Sequence, residues 1–347
     1  MKHTAITSIS RLASLLKQNQ HRVVIDADTH ATALDSLVGA TREKYLSDPG
    51  YYHGRPVSAE DLLREMDLAS VDMALIWQNP ASTHYTGDLD GNAEALMAAN
   101  LYIRDSAARY PDRFIPAGWT DPKGCGVGNA LRIAEVCVHE FGFPIVKMNP
   151  AQNRYPIDSP EVLKVVDRIV ELGAVPAFHF GADTPFTSVE GFETVALRHP
   201  EHPILGAHMG GGGASFIEAE AHYQKARELG LRRENIRFIW SARRDTHIEN
   251  DVIAYQLAGA PHTGKLFCGS DAPYGRITWN FGGFRAMFAS LMCAERHTDA
   301  RVRANPGLVT PEAAQAYMGG NFARFMISAC NHLLVTQGAS EVEMPCR

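Results

Sequence analysis

From residue 23 to about 330, short runs of consecutive apolar residues alternate with longer stretches of helical periodicity, and no Pro/Ser-rich linker interrupts them. That alternation marks repeated βα units around a parallel sheet, whose strands, covered on both faces, read as unbroken apolar segments. Eight segments predict strands: Val23–Ala27, Met73–Trp77, Phe114–Gly118, Pro144–Met148, Val175–Phe180, Pro203–Ala207, Ile236–Trp240 and Lys265–Gly269. Eight such units predict closure into a single-domain α/β (β/α)8 TIM barrel, with a doubly wound open sheet as the alternative arrangement.

The helical stretches carry their own punctuation. Val162, Val165, Val166, Ile169 and Val170 share one helix face behind Ser159 as N-cap and Pro160 at the first position, with Gly173 as the stop. Further helices are predicted from Ala93 to Arg109 and from Thr310-Pro311 towards Cys330. Leu34–Ser58, rich in Gly, Tyr and Pro, reads as an elaborated first βα loop over the barrel mouth. Residues 1–22 are expected to form a surface helix on Ile6, Ile9, Leu12, Leu15 and Leu16, although their basic, acid-free composition also loosely matches an organellar transit peptide. The barrel is expected to span 23–330 and a tail 331–347.

Composition narrows the partners. A formal net charge of -6 over 347 residues gives no phosphate-tracking surface, so no nucleic-acid partner is expected. No stretch reaches the roughly 18–20 apolar residues of a membrane span. Six cysteines without a CxxC pair suit reduced thiols in the cytoplasm. The phosphate-loop-like run Gly259 to Lys265 has Leu266 where a magnesium-binding Ser or Thr belongs, and the glycines at 210–213 lack dinucleotide-loop spacing.

Barrel active sites lie at the C-terminal ends of the strands. Asp26, Asp28 and His30 fall there in VVIDADTH, Lys147 ends the fourth predicted strand, and His179, His208 and Asp271 lie in VPAFHFG, LGAHMGG and FCGSDAPYG. Residues two apart on a strand share a face, so Asp28 and His30 are expected to converge at the mouth, with Asp26 one layer deeper. Each alone has a bland reading as a hydrogen-bonded His or a turn-forming Asp; their joint arrival at strand ends favours a site. Two imidazoles and two carboxylates form a mixed N/O set for Zn, Mn or Fe rather than Ca. Arg55, Asn79, Arg243, Tyr274 and Arg276 sit in or near predicted loops, where bracing is the commoner role.

The segments VIDADTH, AFHFG, AHMGG, GSDAPYG and GGNFARF, in that order and with NLYIRDSAARYPDRF between the second and third strands, resemble the amidohydrolase superfamily. They most resemble its amidohydrolase-2 branch, which includes aminocarboxymuconate-semialdehyde and resorcylate-type decarboxylases. The resemblance runs from Val23 to Phe325. It implies Asp28, His30, His179 and Asp271 as ligands of one divalent transition metal, Zn or Mn. It implies His208 as the catalytic histidine and Asp271 as a second proton carrier, and it suggests a homodimer. The branch's usual His-x-His has Asp28 in its first place; resorcylate-type members carry Glu there. Lys147 takes the place of a lysine that bridges two metals in other members, and is expected here to bind the substrate.

Two carboxylates on a divalent ion make it a weaker Lewis acid for activating water, better suited to holding an anionic substrate. The expected activity is therefore non-oxidative decarboxylation of a small aromatic or unsaturated carboxylic acid. Metal-dependent hydrolysis of an amide, imine or lactone is the alternative, and a non-catalytic metal- or ligand-binding barrel is the alternative of another class.

Overall fold

A computed structural model describes residues 4–18, 22–47, 55–182, 185–211, 220–242, 245–339 and 342. Among these residues nine strands follow in chain order: β1 Ile25–Ala31, β2 Met73–Gln78, β3 Phe114–Pro116, β4 Gly118–Trp119, β5 Ile145–Met148, β6 Val175–His179, β7 Ile204–Ala207, β8 Ile236–Trp240 and β9 Leu266–Cys268. All pair in parallel, β1-β2-β3 as one ladder and β4 through β9 as another. The two arcs meet at both ends. Ala117, between β3 and β4, donates its N–H to Ile76, and a parallel bridge joins Thr29 of β1 to Ala272 beyond β9. β3 and β4 are thus two halves of one barrel strand, and the architecture is the (β/α)8 barrel.

The split has a local cause. The side chain of Asn100, on the helix Leu89–Arg109, accepts from the Trp119 N–H (2.8 Å) and donates to the Trp119 carbonyl (2.9 Å), pairing both backbone groups of that residue. β1 carries a second irregularity: Asp26 is opposite Ala74 but Thr29 opposite Ile76, so one extra residue bulges out. Bulges of this kind re-aim side chains beside active sites.

Helices pack on the outside as the periodicity requires. Pro160–Glu171 is capped by Ser159 and buries Val162, Val165, Val166 and Ile169. Gly173 follows with φ 81°, the left-handed stop that glycine adopts without a Cβ clash. The helix Thr4–Gln18 buries Ile9, Leu12 and Leu16 and packs against Leu89–Arg109 and Asn321–Thr336. Asn321–Thr336 runs past the predicted start of the tail at 331 because Leu333 and Leu334 remain buried. No helix among the described residues is long and apolar enough to cross a membrane.

Candidate metal centre

Asp26, Asp28 and His30 are all buried on β1, so each needs a partner inside the protein. Asp26 Oδ1 accepts from the backbone N–H groups of Asp28 (3.2 Å) and Ser270 (2.8 Å), tying β1 to the segment after β9. Burial raises its carboxyl to about 8, against the pull of those hydrogen bonds.

Asp28 is engaged on both oxygens. Oδ1 accepts from Trp77 Nε1 (2.9 Å) and lies 3.4 Å from Lys147 Nζ, while Oδ2 accepts from the Ser241 hydroxyl at 2.6 Å. Burial opposes its ionisation, but Lys147, His30, His208 and the Ser241 hydroxyl together hold it well below the usual carboxylate range. Lys147 is itself buried, its ammonium 3.8 Å from the Trp77 ring centroid and 5.1 Å from that of Trp119. Burial lowers its pKa, against the attraction of Asp28 and Asp271.

His30 Nδ1 lies 2.8 Å from the Gln78 carbonyl, which only an N–H can satisfy, so Nε2 is the nitrogen turned to the site. It sits 3.5 Å from Asp28 Oδ1 and 3.3 Å from Asp271 Oδ1. Asp271 is delivered by its own backbone: its N–H donates to the Asp28 carbonyl (2.9 Å) and the Ala272 carbonyl accepts from His30 N–H (2.7 Å). One ligand atom from each of Asp28, His30 and Asp271 lies within 4.8 Å of the others. Two carboxylate oxygens and an imidazole nitrogen facing one point call for a positive charge among them, and this donor set fits a divalent transition metal.

His208, just past β7, places Nδ1 2.8 Å from Ser241 Oγ. Ser241 spends its one proton on Asp28, so His208 Nδ1 must donate and its Nε2 is bare. Burial lowers this imidazole to about 4, with Asp271 and Asp28 opposing and His179 reinforcing the shift. His179, the last residue of β6, sets its ring edge-on to that of His208 at 4.6 Å and lies outside the 4.8 Å group. His208, Met209, Ala242 and Asp271 all have positive φ, from 45° to 74°. For non-glycine residues this conformation is costly and clusters at functional sites, where the surroundings enforce it.

The structure therefore gathers Asp28, His30 and Asp271, attaches Lys147 directly and His208 through Ser241 to Asp28, and pairs His179 with His208. Trp77, Trp119 and Ser241 also belong to the site; each lies at or one residue past the end of a predicted strand, where an indole or a hydroxyl gives no sequence signal of a metal centre. Among the loop residues, Arg55 stacks on Tyr45, the Tyr274 hydroxyl donates to Asn79 Oδ1 and Arg276 pairs with Glu65. Arg243, the glycines at 212 and 213, and parts of the loops 34–58 and 184–188 lie outside the described residues.

A family model described as amidohydrolase, Amidohydro_2, matches residues 25–324. The chain belongs to the amidohydrolase family. None of the curated proteins matches it. Among solved structures, this amidohydrolase is similar to a dihydroxybenzoic acid decarboxylase from Polaromonas sp., with bound manganese and the inhibitor 2-nitroresorcinol (15% identity, 88% of this chain and 96% of that one, TM-score 0.61). It is similar to the 5-carboxyvanillate decarboxylase of Sphingomonas paucimobilis (16%, 88% and 98%, 0.61). The 4-oxalomesaconate hydratase of Rhodopseudomonas palustris gives a comparable match (17%, 91% and 99%, 0.57). At these identities the likeness is one of fold.

Proposed function

We propose that this amidohydrolase is a metal-dependent carboxy-lyase acting on a small aromatic or unsaturated carboxylic acid, with one divalent transition metal, manganese or zinc, held by Asp28, His30 and Asp271. His179 is assigned as a further, weaker ligand. The similar decarboxylases, one with manganese bound, support the reaction class. The observation that carries the reading is the buried Lys147–Asp28 pair beside the Asp28–His30–Asp271 group. With Lys147 protonated it offsets one of the two carboxylates, so the loaded site keeps a net positive charge and draws an anionic substrate.

When bound, the metal would supply Lewis-acid stabilisation of negative charge on substrate oxygens. The remaining work falls to side chains. Neutral His208 takes a substrate hydroxyl proton on Nε2 and passes it to the ring carbon that bears the carboxylate; the bond from that carbon to the carboxylate then breaks, CO2 leaves, and the electron pair of the broken bond restores the ring. Asp271, the other acid at the site, steadies the imidazolium meanwhile. Lys147 acts through Asp28, fixing its orientation and charge.

Bare His208 Nε2 is also the base that hydrolysis requires, so the test must separate the two reactions. Manganese-loaded protein is assayed for CO2 release from hydroxybenzoates and enol carboxylates, beside a panel of amides and lactones, with Asp271→Asn as control. CO2 release that the control lacks is the expected result. Cleavage of amides or lactones alone would make the protein a hydrolase, and binding without turnover would make it a binding barrel.

A further inference from the structure

Ser241, the first residue after β8, is 1% exposed, and two groups of the centre share its hydroxyl. It donates to Asp28 Oδ2 at 2.6 Å and accepts from His208 Nδ1 at 2.8 Å. The same imidazole nitrogen stands 3.8 Å from Asp28 Oδ2, too far for a hydrogen bond of its own. Ser241 is thus a spacer between carboxylate and imidazole. The three groups come from three strand ends: Asp28 on β1, His208 just past β7 and Ser241 just past β8.

The direction of every bond in this chain is set at its far end. Trp77 Nε1 and the Lys147 ammonium can only donate, and both face Asp28 Oδ1. An ionised Asp28 accepts on both oxygens, so the Ser241 proton points to Oδ2 and a Ser241 lone pair to His208. His30 differs, since the backbone carbonyl of Gln78 sets its tautomer. Positive φ angles bracket the contact as well, 74° at His208 and 50° at Ala242. Such conformations persist only where the surroundings enforce them.

We infer that Ser241 is a positioning residue: it transmits the anionic state of Asp28 to His208, fixing the imidazole proton on Nδ1 and leaving Nε2 as the proton acceptor. Reversing the polarity at Asp28 should therefore reverse the tautomer. In Asp28→Asn the amide oxygen belongs beside the two donors, Trp77 and Lys147, which turns the amide N–H groups to Ser241. Ser241 then accepts from the amide and gives its own proton to His208 Nδ1. The imidazole proton is left on Nε2, where it blocks the base. That Nε2 acts as a base rests on the carboxy-lyase reading; the placement of the proton does not.

The test is heteronuclear NMR of isotope-labelled histidine rings, whose long-range couplings to the ring C–H protons distinguish the two tautomers, with His208→Gln identifying the signal. Spectra are taken near neutral pH on zinc-loaded protein and again after chelation, so that a ring bound to metal is told apart from one bound to Ser241. His208 is expected in the Nδ1–H form in the natural protein and in the Nε2–H form in Asp28→Asn. Ser241→Ala removes the spacer and keeps every charge, and there the Nδ1–H form should lose its dominance. In the same variant kcat for CO2 release should fall at least about tenfold with KM little changed. Ser241→Thr, which keeps the hydroxyl, should restore both tautomer and turnover. The Nε2–H form in the natural protein, or an Nδ1–H form that survives chelation in Asp28→Asn or Ser241→Ala, would overturn the role of Ser241. A protein with the expected tautomers that releases no CO2 would keep the relay and sink the carboxy-lyase reading.

Discussion

The ammonium of Lys147 lies 3.4 Å from Oδ1 of Asp28, and neither side chain reaches solvent. The indole of Trp77 closes the contact from two directions, donating to Asp28 and presenting its face to Lys147. Breaking such a pair from one side leaves a buried charge unmatched, a loss of about 3–5 kcal/mol. Lys147→Met should destabilise the metal-free protein on that scale. The double variant Lys147→Met/Asp28→Asn should cost less than the two single changes added together, as urea unfolding would show. Additive costs would mean that the pair is not coupled.

Metal affinity should follow the geometry. His30→Ala and Asp271→Ala are expected to lower bound metal at least about tenfold, while His208→Ala, whose Nδ1 lies 2.8 Å from Ser241 Oγ and 3.8 Å from Asp28 Oδ2 and which is outside the ligand group, keeps metal and loses turnover. His179→Ala should fall between these limits. Elemental analysis of the four variants after dialysis gives the order, and equal loss in all four would show that His208 is also a ligand.

Gly269 sets the distance between β9 and β1. A Cβ built there would meet Ile239 Cγ2 at 2.6 Å and Asp28 Cβ at 3.0 Å. Gly269→Ala should therefore destabilise the fold by about 1–3 kcal/mol, the usual range for overpacking, and weaken metal binding by displacing Asp28. A variant with unchanged melting temperature and metal content would contradict this placement.

Much of the barrel was legible because strands covered on both faces must be apolar; Ile236–Trp240 coincides with β8. The apolar run predicts the first strand at Val23–Ala27, whereas the strand runs from Ile25 to Ala31. An apolar-run criterion stops at Asp28, Thr29 and His30, whose side-chain partners let the strand continue through polar residues. The break at Ala117 depends on Asn100, on a helix preceding the strand, and no local pattern announces it. Strand alternation brought Asp28 and His30 together, and Asp271 joins them through backbone bonds to β1. The links made by Ser241 and Trp77 were not legible, since a serine or tryptophan at a strand end carries no charge signal and its partner lies far away in the chain.

Lys265 provides a pH signature away from the metal. Its ammonium donates to the carbonyls of Gly230 (3.0 Å) and Arg233 (2.9 Å), and burial, with Arg237 nearby, lowers its pKa to about 8. Between about pH 8 and the unfolded lysine value of about 10.4 the unfolded chain retains a proton that the folded chain has released, so this group adds stability as pH rises. Relative to the natural protein, Lys265→Met should lose that gain, at most about 2–3 kcal/mol between pH 7 and 10. A stability difference that stays flat from pH 7 to 10 would contradict the shift.

Metal stoichiometry reaches the central claim most directly. Protein purified without chelator, and the same protein carrying His30→Ala, can be compared by elemental analysis. One manganese or zinc per chain in the first and almost none in the second is the expected result. Two metals per chain, none in either protein, or equal content in both would contradict a single ion held by Asp28, His30 and Asp271.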